Sequence, residues 1–429
     1  MIKRLFSQSI LAMFIKVSAS IIGTLMNMLI SKLLPLQEFG VYGIIFSLLL
    51  AFMFLGTFGM HVSVMQFYPK IEKNYGKSSA DHFLYHCLGW LKRKWVLVFG
   101  ALVTIGLAFL GFEQLNEREH IIPFYAVPFI AALAICLTLS EFLSAVLRIK
   151  ERNVAALAPR DLYWRGFVCI AVQIFIYYQL SVDLGMLLVV MSLLAIIIIG
   201  YQTSLFLNLV KNDTKYVSDE EHYDKNDLSH SLRYSWANIL AMTLIFQSMT
   251  SVIGYFLGAE QAGIYFAADR LAYMMGLVSV GLTLISTPIL SKAFHNNQRV
   301  RLRKIYFMIC LFGGALTLPI LTAIIFHGDW VLSSFYEPEY AEGHMVFIII
   351  GSAWFLSTVF GPIVSVAQAA GQERTVFIVT ATVATLSLTS SFFLVPAYGA
   401  IGGAFSILLM ALLQKSTLLI VLYKKVIAG

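Results

Sequence analysis

The chain has 429 residues, 59% hydrophobic and only 12% charged, with 33 Phe and a mean hydropathy of +0.81. This lies far outside the soluble average and places the chain in a bilayer. The net charge of +7 and the pI near 9.1 follow from topology, as argued below, and are not read as nucleic-acid binding.

A helix that crosses about 30 Å of hydrocarbon needs roughly 20 apolar residues. Runs of that kind, ended at charged or Pro/Gly-rich breaks, fall at 9–31, 41–63, 95–112, 123–147, 162–180, 184–208, 236–258, 263–290, 305–327, 344–366, 376–395 and 399–422. The first run follows Lys3 and Arg4 and contains Ser18 and Ser20, which invites comparison with a signal peptide. It is too long for a signal core, carries Lys16, and leads directly into the turn LLPLQEFGVY at Leu33 to Tyr42, so we read it as the first span.

That turn recurs. FLGAEQAGIY, Phe256 to Tyr265, repeats it at an offset of 223, with Leu34, Gly40 and Tyr42 falling on Leu257, Gly263 and Tyr265. At an offset of 222, IKERN (Ile149 to Asn153) lies over GQERT (Gly371 to Thr375). Agreement of the two offsets within one residue points to a duplicated unit.

Between the second and third spans, DHFLYHCLGWLKRKW (Asp81 to Trp95) mixes apolar residues with His, Lys and Arg and is expected to lie as a helix in the cytoplasmic interface. The polar stretch KNDTKYVSDEEHYDKNDL is expected to be a solvated linker. The organisation expected is thus a six-helix bundle over 1–210, a linker over 211–235 and a second six-helix bundle over 236–429. An even number of helices in each half relates the halves by a pseudo-two-fold along the membrane normal, with a cavity between them as the transport path. The outside loops are short and acidic, the longest being His327 to Gly343.

With the N-terminus inside, 25 of the 30 Lys and Arg fall in cytoplasmic segments, including those at 64–94, 148–165, 209–235 and 291–304. The outside loops hold only Lys32 and Arg118. Both termini are therefore expected in the cytoplasm. The four cysteines suggest packing rather than disulfides.

Chemical motifs are absent: there is no phosphate loop, HExxH or CxxC, the nine histidines lack ligand spacing, and neither metal nor cofactor is expected. GAIGGAF (Gly399 to Phe405) reads as a close-packing helix start. What remains are ionisable groups within spans, each of which costs roughly 2.5 to 3.5 kcal/mol at a helix centre unless paired or hydrated. Lys16 and Arg270 lie about 10 Å in from opposite faces and Lys415 about 13 Å in, at ~1.5 Å per residue. The bland reading is snorkelling or internal pairing, and the functional one is a cation lining a cavity. Asp269 adjoins Arg270, but successive helical residues diverge by about 100° and are not expected to pair. Asp269 and Glu141 are the candidates for ion coupling, a structural role being preferred for Glu141. Trp354 is a candidate for sugar stacking, with core packing the first reading; the other five Trp sit at interfaces as belt residues.

LLPLQEFGVYGIIFSLL after the opening helix, AQAAGQERTVF in an inside turn, and FFLVPAYGAIGGAFSILL at the last helix join make the whole chain resemble the polysaccharide flippases related to O-antigen transporters, within the multidrug/oligosaccharidyl-lipid/polysaccharide exporter superfamily. The resemblance implies two six-helix bundles around a central, often cationic cavity in the bacterial inner membrane. It also implies export of undecaprenyl-diphosphate-linked oligosaccharide, with membrane lipids, a polysaccharide polymerase and other assembly proteins as the partners to be expected. Twelve helices instead of fourteen argue against the related peptidoglycan-precursor flippases. The family offers no residue-level substrate motif, so Lys16, Arg270 and Lys415 rest on the charge argument alone. A drug/cation antiporter of the same superfamily would want carboxylates facing the cavity, and three cations against two acids tilt away from it. A membrane polysaccharide polymerase or ligase would want a sizeable outside loop. The chain therefore reads as a transporter, not an enzyme.

Overall fold

The computed structural model describes residues 2–115, 125, 127–210, 225–296, 298–369 and 372–422. Among the described residues every regular element is helical, as a lipid environment demands of a chain that must satisfy each backbone polar group within its own segment. The first series is α1 (Ile2–Leu33), α2 (Leu36–Leu55), α3 (Met60–Tyr75), α4 (Lys77–Leu115) and α5 (Val127–Ile149), then α6 (Asn153–Ala158), which runs through a π-helical stretch (Pro159–Trp164) into α7 (Arg165–Tyr177), and α8 (Leu184–Val210). The second is α9 (Lys225–Leu257), α10 (Ala259–His295), α11 (Arg299–Phe335), a 3₁₀ turn (Pro338–Gly343), α12 (His344–Val359), α13 (Ile363–Ala369) and α14 (Glu373–Leu422). Eight helical stretches are long and apolar enough to cross a membrane. They take in every expected span except 95–112, 162–180 and 236–258, which fall on α4, α7 and α9.

Two expected spans are broken where hydropathy gave no sign. The 41–63 run stops at Leu55 and resumes at Met60 through Phe58 and Gly59, both left-handed at φ 50° and 78°. The 344–366 run breaks before Ile363 at Gly361, with φ 63°. The last two expected spans, numbered together as α14, are two helical arms that meet where expected, across a kink at Gly399 (φ 66°) just after Pro396. Of the expected linker, residues 211–224 lie outside the described residues, and α9 starts at Lys225, well before the expected span.

One compact unit comprises residues 1–34 and 45–243. In one of its clusters the apolar stripe of Asp81 to Trp95, the segment expected in the cytoplasmic interface, packs on protein. Ala80, Phe83, Leu84, Cys87, Leu88 and Leu91 recur every three or four residues along α4 and are buried against Val64 and Tyr68 of α3, Phe142 and Val146 of α5 and Phe206 of α8. The apolar stripe is real, and protein covers it. Trp95 closes the cluster by donating from Nε1 to the Gly56 carbonyl at 2.8 Å, just before the left-handed turn.

The other unit comprises residues 35–44 and 244–429, so the start of α2 belongs with the second half of the sequence. The repeated turn explains this. A Cβ on Gly40 would fall on the carbonyl of Ala259, while a Cβ on Gly263 would lie 3.2 Å from the Leu36 carbonyl oxygen and 3.1 Å from Cα of Gly40. Gly40 and Gly263 are equivalent at the 223 offset, and so are Leu36 and Ala259. The two copies of the motif thus touch reciprocally, backbone on backbone, at their own glycines.

Gly40→Ala is therefore expected to lower the melting temperature of the purified protein by several degrees, because both atoms in the way are backbone. Gly89→Ala and Gly100→Ala in α4, where nothing lies within 4 Å of an added Cβ, are expected to be neutral or to add up to ~1 kcal/mol of helix stability. A Gly40 variant as stable as the Gly89 variant would overturn the close contact.

Candidate functional site

In the first unit, α6 and α7 form one continuous helix although Pro159 has no N–H to give the Ala155 carbonyl. The side chain of Gln202 on α8 supplies the missing donor: its Nε2 lies 3.4 Å from the Ala155 carbonyl oxygen and 2.9 Å from that of Ala156. Ser144 also donates to Ala156, and Ser140 donates to Gln202 Oε1 at 2.7 Å. The chain passes Pro159 as a π-helical stretch, which turns Arg160 and Asp161 into the bundle. π-Helical turns recur at functional sites in membrane and soluble proteins alike.

Arg160 is the hub of this region. Its Nε lies 2.7 Å from Asp161 Oδ1, its Nη1 bonds Glu141 Oε2, and Nη1 also approaches Met53 Sδ at 3.4 Å. Arg148 Nη2 stands 4.0 Å from the other Glu141 oxygen and Nε donates to the Ser144 carbonyl at 3.2 Å. Asp161 feels, beyond Arg160, the charges of Arg165 and Lys16. Arg165 is fixed on α1, donating from Nη1 to the Ala19 carbonyl at 2.8 Å in a gap that only Gly23 leaves open. Lys16, on the same helix, is exposed on the surface of the unit. His61, on α3, bonds Thr57 through Nδ1 at 2.6 Å and sits in the field of Glu141, Arg148 and Arg160. A second buried pair, Lys150 with Asp81, is capped by Tyr68, whose hydroxyl lies 3.0 Å from Asp81 Oδ1.

In the second unit, Arg270 lies over the ring of Phe266 with Cζ 4.8 Å from the centroid, one turn back along α10. It also pairs with its neighbour, Nη2 to Asp269 Oδ2 at 3.1 Å. The expectation that adjacent residues do not pair is thereby corrected: the guanidinium sits at the end of a long side chain that folds round the helix. Arg160 and Asp161 repeat the arrangement. Trp354 on α12 packs on α10, its Cε3 2.6 Å from where a Cβ on Gly276 would stand and its ring edge-to-face with Tyr273 at 5.4 Å. Lys415 is half-buried in α14 beside Gln414, whose Nε2 donates to Thr380 Oγ1 at 2.9 Å. No hydrogen bond or ion pair reaches the Lys415 ammonium among the described residues.

Each candidate chosen from sequence thus has a place: Glu141 and Lys16 in the first unit, Asp269, Arg270, Trp354 and Lys415 in the second. Sequence reasoning missed Arg160, Asp161, Arg165 and His61. The segment 148–165 counts among the cytoplasmic connections by its five basic residues, and AALAPRDLYW carries the apolar spacing of a buried helix across those charges.

Residues 6–294 match the family of polysaccharide biosynthesis proteins, and the chain belongs to it. No curated protein sequence matches. Among solved structures, the lipid II flippase MurJ in an inward closed conformation aligns with a TM-score of 0.75 at 14% identity, over 96% of this chain and 87% of MurJ. An inward-facing multidrug resistance MATE family transporter of the MOP superfamily aligns at 0.70 and 13% identity, over 94% and 96%. A MOP superfamily transporter from Pyrococcus furiosus, with a binding pocket of reverse polarity, aligns at 0.63 and 15%, over 97% and 94%. The chain is accordingly an all-α, multi-pass membrane protein with about twelve transmembrane helices in two six-helix bundles, the fold of these exporters.

Removing Glu141 takes from the buried Arg160 one of its two carboxylates and from the partly exposed Arg148 its acid, and breaking one side of a buried pair costs about 3–5 kcal/mol. Glu141→Ala is expected to lower the melting temperature far more than Glu151→Ala at the exposed turn. Equal melting of the two variants would remove Glu141 from the framework.

Proposed function

We propose that this protein translocates undecaprenyl-diphosphate-linked oligosaccharide across the bacterial inner membrane by alternating access, for O-antigen or another surface polysaccharide. The reading adds to the family assignment one observation about charge. Among the described residues, each carboxylate carried into the helix bundles is already held by a cation: Asp81 by Lys150, Glu141 and Asp161 by Arg160, Asp269 by Arg270. Lys415 is left without an acid, and Lys16 and Arg165 share Asp161 with Arg160. Such an excess favours an anionic cargo. A diphosphate carries its charge across roughly 30 Å of hydrocarbon only if cations receive it. A drug/cation antiporter needs the opposite, acids free to bind the cation.

In this reading Lys16, Arg270 and Lys415 receive the diphosphate in turn, and Trp354, whose ring is only partly covered by α10, offers a face to a sugar. Asp269 and Glu141 hold the arginines in place and are the groups through which a coupling ion acts. Both termini lie in the cytoplasm, and the polymerase that consumes the flipped units acts on the opposite side.

The test is replacement of Lys415 and Lys16 by Ala, singly, in cells whose surface polysaccharide depends on this protein. Each is expected to cut surface polysaccharide at least about tenfold, the factor set by ~1.4 kcal/mol of lost attraction, with near-normal protein in the membrane. Lys415→Arg retains most of it. Unchanged polysaccharide in both Ala variants, or export of cationic dyes by the unaltered protein, would refute the anionic cargo.

A further inference from the structure

Phe39, one residue before the glycine that touches α10, is wholly buried and fills a slot made of three rings. Its centroid lies 5.8 Å from Phe266, 6.1 Å from Tyr336 and 5.6 Å from Tyr340, the last edge-to-face. Tyr336 and Tyr340 are 2% and 1% exposed, yet neither phenol hydroxyl has a hydrogen-bond partner, and nor has Nε of Arg270. Tyr336 is close enough to Arg270 and Asp269 to feel both charges. Buried phenols nearly always find partners. A phenylalanine ring is the one aromatic occupant that can offer these hydroxyls nothing.

The slot, without Phe39, presents flat aromatic faces, two hydroxyls that can both donate and accept, and a carboxylate–guanidinium pair at one end. That is the chemistry of a pyranose site, where ring C–H groups lie on aromatic faces and sugar hydroxyls bond planar polar groups. The side chain that fills it rides on the short first part of α2 that joins the two units. Residues 36–44 start just after Pro35, meet α10 through Gly40 and Gly43, and leave the unit at Ile44. We propose that Phe266, Tyr336, Tyr340, Asp269 and Arg270 form a sugar-binding subsite that Phe39 plugs in this conformation and vacates when residues 36–44 lift from α10. The inference rests on the reading above that the cargo bears a glycan, and it names where one ring of that glycan is held.

Two probes keep the inference separate from the cargo assignment: undecaprenyl diphosphate, and the free oligosaccharide released by mild acid from the producing cells' lipid-linked pool. Binding of each to the full-length protein in detergent is measured for the unaltered chain, Phe39→Ala, Phe39→Leu, and Phe39→Ala carrying Tyr336→Phe and Tyr340→Phe. Unplugging is expected to tighten oligosaccharide binding about tenfold or more, and loss of the two hydroxyls to abolish that gain, with undecaprenyl diphosphate binding the same throughout. Unchanged oligosaccharide affinity in both Phe39 variants overturns the subsite while leaving the cargo assignment standing. So does a gain that survives loss of both hydroxyls. A gain without any binding of undecaprenyl diphosphate upholds the subsite and refutes the cargo. Tyr336→Phe and Tyr340→Phe in the unaltered chain are expected to melt no lower than the parent. A drop of several degrees would show the hydroxyls to be structural and would also overturn the proposal.

Discussion

The backbone contact between Gly40 and Gly263 is the constraint on which the second unit depends. Helices that cross through ordinary side chains stand 8–10 Å apart, whereas here each copy of the repeated motif lies against the carbonyl oxygen of the other. In a membrane, where burial of apolar surface gives little reason for helices to associate, such close approach through small residues is a main source of attraction. It carries the start of α2 into a unit whose other residues begin 200 positions later. It also sets Phe39 and Tyr42 against Phe266, 5.8 and 6.0 Å away, so the aromatic layer is a consequence of the glycines next to it. Gly43 extends the same logic, its missing Cβ leaving room for the Phe266 ring.

The first unit is governed by a different problem, the cost of charge where water is scarce. Its answer is to gather the charges so that each neutralises another. Glu141 lies among Arg160, Arg148 and His61, and Asp161 among Arg160, Arg165 and Lys16. Arginine suits the central place because its rigid fork reaches two carboxylates from one side chain, which a lysine ammonium does less well. The π-helical stretch that aims it follows from Pro159, and Gln202 repairs the backbone bond the proline removes. A proline, an amide and two adjacent charges therefore form a single device.

Much of this was legible in the sequence, for reasons that differ by level. Long apolar runs identify spans because the bilayer leaves no other option, and the expected spans fell on helices, two of them divided between consecutive ones. The repeat was visible as matched residues, since Gly40 and Gly263 are kept for what they touch. That they touch each other was not visible, because equivalence in sequence carries no distance. Breaks at Gly59 and Gly361 depend on φ, which hydropathy does not see. The cations Lys16, Arg270 and Lys415 stood out because they interrupt apolar runs. Arg160 and Asp161 did not, because a span was taken to end where charges cluster, and here the cluster is inside. Asp81 and Lys150 were hidden for the same reason, their pairing made between segments 69 residues apart.

Lys415 is where the two units' treatments of charge part. Gln414 beside it bonds Thr380, and farther along α14 Ser387 and Ser390 bond Ser406, so these polar groups hold the two arms of that helix together. None of them is an acid. A lysine set about 13 Å into the bilayer at ~1.5 Å per residue then keeps a desolvation cost that its own helix does not offset, unlike Arg160 or Arg270. Such a cost is retained in a membrane protein where the group meets a partner only part of the time. A diphosphate passing through is a partner of that kind: it offsets the cost while it is bound and restores it on leaving, so that release does not have to compete with a permanent counter-ion. The anionic cargo proposed above thus rests, in the second unit, on one ammonium that no acid meets among the described residues.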